Sequence, residues 1–226
     1  MKNISDIRIF RGTIENIDNN AHPSGFANQM MNLVVKRLVM KLRELNFSLG
    51  EFDHLYINFT TCFVEDGIMQ AKRSIDKYHP WYRYYDYYMD EEQFEKMISD
   101  SNYIILLDAI KKVLLKFFSN SQAQEEMIDD AIVESQKGEN MLIKYKEKIT
   151  SKYKATIYLR LYNDGKYHPL LEVQNNDSMV LHKDMDSIID LGIIGDIAIS
   201  GKRVIIKPKK SQRYSKIEPV VYELKL

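Results

Sequence analysis

The 226-residue sequence predicts an α+β fold with mostly antiparallel sheet, about three to four helices and a β-rich C-terminal third. Three observations carry this reading. Apolar residues recur at helical spacing within 24–45 and 90–137. Alternating β-branched and aromatic runs occupy 6–15, 53–89 and most of the chain beyond Gly138. Short turn signals, Glu65-Asp66-Gly67, Asn163-Asp164-Gly165 and Ser200-Gly201, separate those runs. The chain is expected to form one α+β domain over 1–226. Its composition changes near 138–141, between a mixed helix/strand part (1–140) and a β-rich part (141–226).

Taken in order, residues 6–15 read as an opening strand. His22-Pro23-Ser24 begins a helix running to about Leu45, with Pro23 or Ser24 near its N-cap. Phe26, Met30, Leu33, Val34, Leu38, Leu42 and Leu45 form its apolar stripe, widened by Met31, Val35 and Val39. Residues 53–63 and 67–74 read as a hairpin turning at Gly67, with 81–89 as a third strand. Asp90-Glu91-Glu92 opens a short helix to about Met97, its acids suited to the positive N-terminal end. Helices follow over roughly 101–118 and 121–137, with Gly138 as a stop. Strands are then expected near 141–148, 153–162, 167–174, 178–182, 194–199, 202–207 and 218–225.

Composition narrows the classes. With 45% hydrophobic and 28% charged residues the chain is a folded protein, not a disordered one. The single cysteine, Cys62, excludes a disulfide framework and a Cys-based zinc site, and its apolar setting predicts a buried thiol. The N-terminus lacks the apolar run of a signal peptide, and no stretch approaches the roughly 18 apolar residues of a membrane span. A cytoplasmic protein without membrane attachment is expected. Formal net charge is zero but unevenly spread. Asp86 to Glu139 holds 13 acidic and 5 basic residues, whereas Met141 to Leu226 holds 16 basic and 10 acidic. Such polarity steers association or simply keeps surfaces solvated.

Catalytic signatures do not emerge. The sequence contains no nucleophile elbow, phosphate-binding glycine loop or His-Glu-x-x-His motif. Its nine glycines are too few for a nucleotide fold built on glycine loops. The five histidines show no zinc spacing; His79 and His168 are the nearest to candidates, and an enzyme would need them to converge with nearby acids. No cofactor and no metal site is expected. Lys77-Tyr78-His79-Pro80 recurs as Lys166-Tyr167-His168-Pro169, either as a repeat or because His-Pro marks entry to a strand.

The densest feature is 77–88, where seven of twelve side chains are aromatic and which holds the only tryptophan, Trp81. Strand alternation puts Trp81, Arg83, Tyr85 and Tyr87 on one face and Tyr82, Tyr84, Asp86 and Tyr88 on the other. One face packs on a core. The other is either covered as well or offers Tyr82, Tyr84, Asp86 and Tyr88 to a partner, with Glu91 and Glu92 beside them. A second candidate is the basic run Lys202, Arg203, Lys207, Lys209, Lys210, Arg213 and Lys216. With Tyr84, Tyr85, Tyr87 and Tyr214 it would suit single-stranded nucleic acid, and otherwise it is an exposed edge hairpin guarded by lysines.

The stretch Arg73-Ser74-Ile75-Asp76-Lys77-Tyr78-His79-Pro80-Trp81-Tyr82-Arg83-Tyr84-Tyr85-Asp86, with Ile157-Tyr158-Leu159-Arg160-Leu161 and 202–208, resembles bacterial polymorphic-toxin immunity proteins over roughly 51–224. The resemblance implies a cytoplasmic protein that binds and blocks a cognate protein toxin and has no chemistry of its own. The alternative reading is a nucleic-acid-binding module using the basic hairpin and exposed tyrosines. Oligomeric state is left open.

Overall fold

A computed structural model describes residues 2–12, 27–71, 77–176 and 178–224. The fold is α+β, and the chain divides into two compact units, Met1–Gly138 and Glu139–Leu226.

The first unit opens with β1 (Asp6–Gly12), followed by α1 (Gln29–Glu44) and β2 (His54–Thr60). The expected cap at Pro23 or Ser24 lies outside the described residues. The helix is capped by Asn28, whose side chain accepts from the Met31 N–H at 2.8 Å. Strand β1 pairs parallel to β2, as a strand–helix–strand crossover permits. Next come β3 (Ile68–Gln70) and β4 (Tyr82–Tyr88). The sheet order is β1-β2-β4-β3, with β4 parallel to β2 and antiparallel to β3.

This order overturns the expected hairpin of 53–63 with 67–74. The turn itself forms: Asp66 and Gly67 take positive φ of 54° and 71°, and the Gly67 N–H donates to the Val64 carbonyl. Its chain, however, leads to the far side of β4. Strand β2 is buried along nearly its whole length and finds its neighbours in β1 and β4, as interior parallel strands do.

Three helices follow. In α2 (Glu91–Ser99), Asp90 and Gln93 form a reciprocal capping box. Helix α3 (Ile104–Phe118) starts after Tyr103 in the left-handed region, and α4 (Gln122–Ser135) is capped by Ser121. Their apolar stripes, with that of α1, close one core with Ile7, Ile9, Leu55, Ile57, Phe59 and Tyr85 of the sheet. All the named strand residues lie on a single sheet face by register.

The second unit is antiparallel throughout. A meander joins β5 (Ile143–Ile149), β6 (Lys154–Leu161), β7 (Tyr167–Asn175) and β8 (Ser178–Asp184) in chain order. A second sheet, ordered β11-β10-β9, comprises β9 (Asp196–Ser200), β10 (Arg203–Lys207) and β11 (Val220–Glu223). Gly165 (φ 80°) and Gly201 (φ 57°) make the two tight turns. Strand β10 is therefore central, not the expected edge. Alternation buries Val204 and Ile206 and leaves Arg203 and Lys207 in solvent.

Candidate binding surfaces

The sheet of the first unit has a second face, turned away from the helical core. Parallel register aligns side chains in rows across it. His54 lies beside Tyr82, Tyr56 beside Arg8 and Tyr84, Asn58 beside Phe10 and Asp86, and Thr60 beside Gly12 and Tyr88. The four expected anchors on β4 thus share one face. Tyr82, Tyr84 and Asp86 are half-buried within their rows, and Tyr88 is 43% exposed.

The rings form a continuous cluster, part stacked and part tilted. Tyr56 lies at its centre, with ring centroids 5.7 Å from Phe10, 4.8 Å from Tyr84 and 4.8 Å from Tyr82. Tyr82 also meets His54 at 4.9 Å and stacks on His79 at 4.7 Å. The Arg8 guanidinium sits 5.6 Å from the Tyr56 ring centroid. Burial first, and a hydrogen bond to Tyr82 second, push the Tyr56 phenol above its usual pKa, against the opposing pull of Arg8. Arg8 and Phe10 come from β1, and His54 and Tyr56 from β2, outside the expected set of anchors. The signal was present in His54-Leu55-Tyr56-Ile57-Asn58-Phe59-Thr60, where polar and aromatic residues alternate with apolar ones.

Below the rings, Asn58 lies across three strands. Its Nδ2 donates to Asp86 Oδ1 at 2.8 Å, and its Oδ1 is buried without a hydrogen-bond partner. The amide packs flat on Gly12, where a Cβ would come within 2.5 Å of it. Only glycine lets β1 approach so closely. The opposite face of β4 belongs to the core. Tyr85 is 4% exposed, packs on Phe117 and Phe118, and has its pKa pushed up to about 12 by burial. Tyr87 packs on Phe59, also with a raised pKa from burial.

Several expected placements change. Trp81 precedes β4 rather than joining its core face; it stands edge-on to His79 and Tyr82 and is 37% exposed. Cys62 lies in a bend beyond β2 and is half-buried, because the strand ends at Thr60 and the thiol leaves the sheet. Glu91 chelates Arg11 with both oxygens (2.8 and 2.7 Å), while Arg11 caps the Phe94 ring at 4.2 Å. Glu92 is exposed and pairs with Lys96 at 2.5 Å.

In the second unit the basic residues are exposed along β10 and the segment after it. Arg203 pairs with Glu223 and Arg213 with Asp190, each at 2.7 Å. Lys202, Lys207, Lys209, Lys210 and Lys216 make no ion pair among the described residues. The tyrosines expected to help them are otherwise engaged. Tyr85 is in the core of the first unit, and the Tyr214 hydroxyl donates to the Asp190 carboxylate, 2.9 Å from each oxygen.

His79 is stacked on Tyr82 in the first unit. His168 is stacked on Tyr162 at 3.8 Å and bonded to Asp164 in the second. His79-Pro80 lies in the turn before β4, whereas His168-Pro169 lies inside β7, so the two matching tetrapeptides occupy different structural positions. Among the described residues no group of three or more His, Cys, Asp or Glu side chains could hold a metal ion. No helix among them is long and apolar enough to cross a membrane.

Against known proteins, the chain matches no family model, no curated protein and no solved structure.

Proposed function

We propose that this chain is a non-enzymatic binding protein that acts in the bacterial cytoplasm as an immunity protein, docking a cognate protein toxin on the aromatic face of its parallel sheet. The observation that carries the reading is the contiguous cluster of Phe10, Tyr56, Tyr84 and Tyr82 rings on the sheet face opposite the helical core. Rigid rings lose little entropy on binding, and tyrosine and arginine dominate energetic hot spots. Tyr88 and Arg8 are the exposed contacts, Arg8 with 54% of its side chain accessible. The first unit carries 21 acidic and 16 basic residues, net −5, which favours a basic partner and speeds its capture.

The test is rescue from toxicity. A single stoichiometric partner is recovered with tagged wild-type protein from its host and then expressed alone. The reading requires that this partner arrest growth and that wild-type chain restore it. Tyr88→Ala with Arg8→Ala should lose binding at unchanged melting temperature, as should Tyr84→Ala with Asp86→Ala if it stays folded. A non-toxic partner, or full binding by the Tyr88/Arg8 variant, would reject the proposal.

A further inference from the structure

The basic segment after β10 is held in a defined shape. Asp190 caps the turn at 191–193 by accepting from the Gly192 N–H at 2.8 Å, and the same carboxylate takes the Tyr214 hydroxyl and the Arg213 guanidinium. The Tyr214 ring lies directly on Gly192, where a Cβ would come within 2.1 Å of it. Lys209 donates its N–H to the Gly192 carbonyl at 2.8 Å, and Gly195 donates to the Lys207 carbonyl at 2.7 Å. A Cβ at Gly195 would stand 2.3 Å from the Lys209 nitrogen. One carboxylate, two glycines and two backbone hydrogen bonds therefore clasp a run of cations onto the 190–195 turn.

The charges it displays are of one kind. The two arginine forks, which match carboxylates in geometry, are already taken by Glu223 and Asp190. What remains is compact ammonium charge on Lys202, Lys207, Lys209, Lys210 and Lys216. Point charges of this kind suit phosphates spaced along a backbone. The ring of Tyr214 is committed to the clasp, so stacking on bases has no part here. The second unit carries 16 basic and 11 acidic residues, net +5, the sign such a ligand requires.

We infer that the clasped segment 207–216 is a polyanion-binding arm that takes the phosphate backbone of nucleic acid, with Asp190 as its positioning residue. This site belongs to the second unit and the aromatic face to the first, and the inference stands or falls independently of the toxin-binding reading.

The experiment is fluorescence anisotropy of a labelled oligothymidylate with the full chain across a salt series. Wild type should bind with Kd of about 1–100 μM at physiological salt and weaken steeply as salt rises. Lys209→Gln with Lys210→Gln, both on the surface, should weaken binding about tenfold and reduce the salt slope by about 1.4. Asp190→Asn is the decisive variant, because it adds net positive charge while removing the carboxylate charge and one of the two oxygens that hold Tyr214 and Arg213. Charge alone predicts tighter binding; the arm predicts binding about tenfold weaker, since freed side chains must be ordered again. Tyr214→Phe keeps the ring over Gly192 and should weaken binding in the same direction, which covers the case of an unfolded Asp190 variant. Absence of binding at low salt, unchanged or tighter binding by Asp190→Asn or Tyr214→Phe, or equal displacement by polyglutamate at matched charge would overturn the inference.

Discussion

The first unit builds its four-stranded sheet around three parallel strands, gives one face to helices and lays aromatic rings over the other. The second makes two antiparallel sheets from short hairpins and displays charge on the alternate residues. Their net charges are −5 and +5, so the neutral total conceals two polarised bodies. The difference teaches two ways in which a fold gathers the residues of a surface. In the first unit it arises from side chains far apart in sequence, aligned by parallel register. In the second the cations lie along one stretch of chain, and the tertiary structure adds Asp190, which holds that stretch in shape.

The comparison is sharpest where one residue serves one unit. Tyr85→Ala should remove the ring packed on Phe117 and Phe118 and cost about 3–5 kcal/mol, unfolding the first unit at a denaturant concentration that spares the second. Hydrogen exchange resolved by unit would show it; uniform loss of protection would mean the two fold as one cooperative body. Gly195→Ala should cost the second unit about 1–3 kcal/mol, because the obstruction is the Lys209 backbone and cannot rotate away.

Gly12→Ala should cost about 1–2 kcal/mol, less than Gly195→Ala, since the Asn58 amide can swing aside at the loss of its bond to Asp86. Equal effects at the two glycines would break the distinction between a side-chain and a backbone contact. Alkaline pH should act on the first unit. Tyr85 has its pKa raised to about 12 and Tyr56 is raised too, each first through burial. The stability they contribute is complete below the unfolded value of about 10 and is lost as pH rises through the folded values. Thermal melting at pH 8 and pH 11 should therefore show a fall in the first unit's transition.

Acid tests the second unit more weakly. The Asp190 carboxylate is held below the usual range by the Gly192 N–H first, then by the Tyr214 hydroxyl and Arg213. Its contribution is present above the unfolded value of about 3.9 and is lost only as pH falls through the lower folded value. Protection of the Gly192 and Lys209 amides should thus persist to about pH 4. Smallest of all, Arg203→Ala should change stability by less than about 1 kcal/mol, since its pair with Glu223 is solvent-exposed on both sides.

Much of this could be read directly. Local periodicity identified α1, α3 and α4, the alternation of β10 and the two faces of β4, because an amphipathic element records in its own residues which side meets the core. The turns at Gly165 and Gly201 were equally legible, since their φ values suit glycine. Pairing was not. A good turn between 53–63 and 67–74 favours a hairpin locally, yet the chain brings β4 alongside β2. The same limit hid Tyr56, Asn58 and Gly12 from the aromatic face and Asp190 from the basic arm. By itself, then, the sequence determined the class of fold, most of its elements and the inward stripe of each regular helix and strand, all of which follow from burial along one short segment; Trp81 and Cys62, at the ends of strands, escaped that logic. Only the tertiary structure decided which strands are neighbours, that β10 is central, and which distant residues share a surface. Those choices depend on competition among all the segments for the same hydrogen-bonding edges, and no single segment carries the outcome.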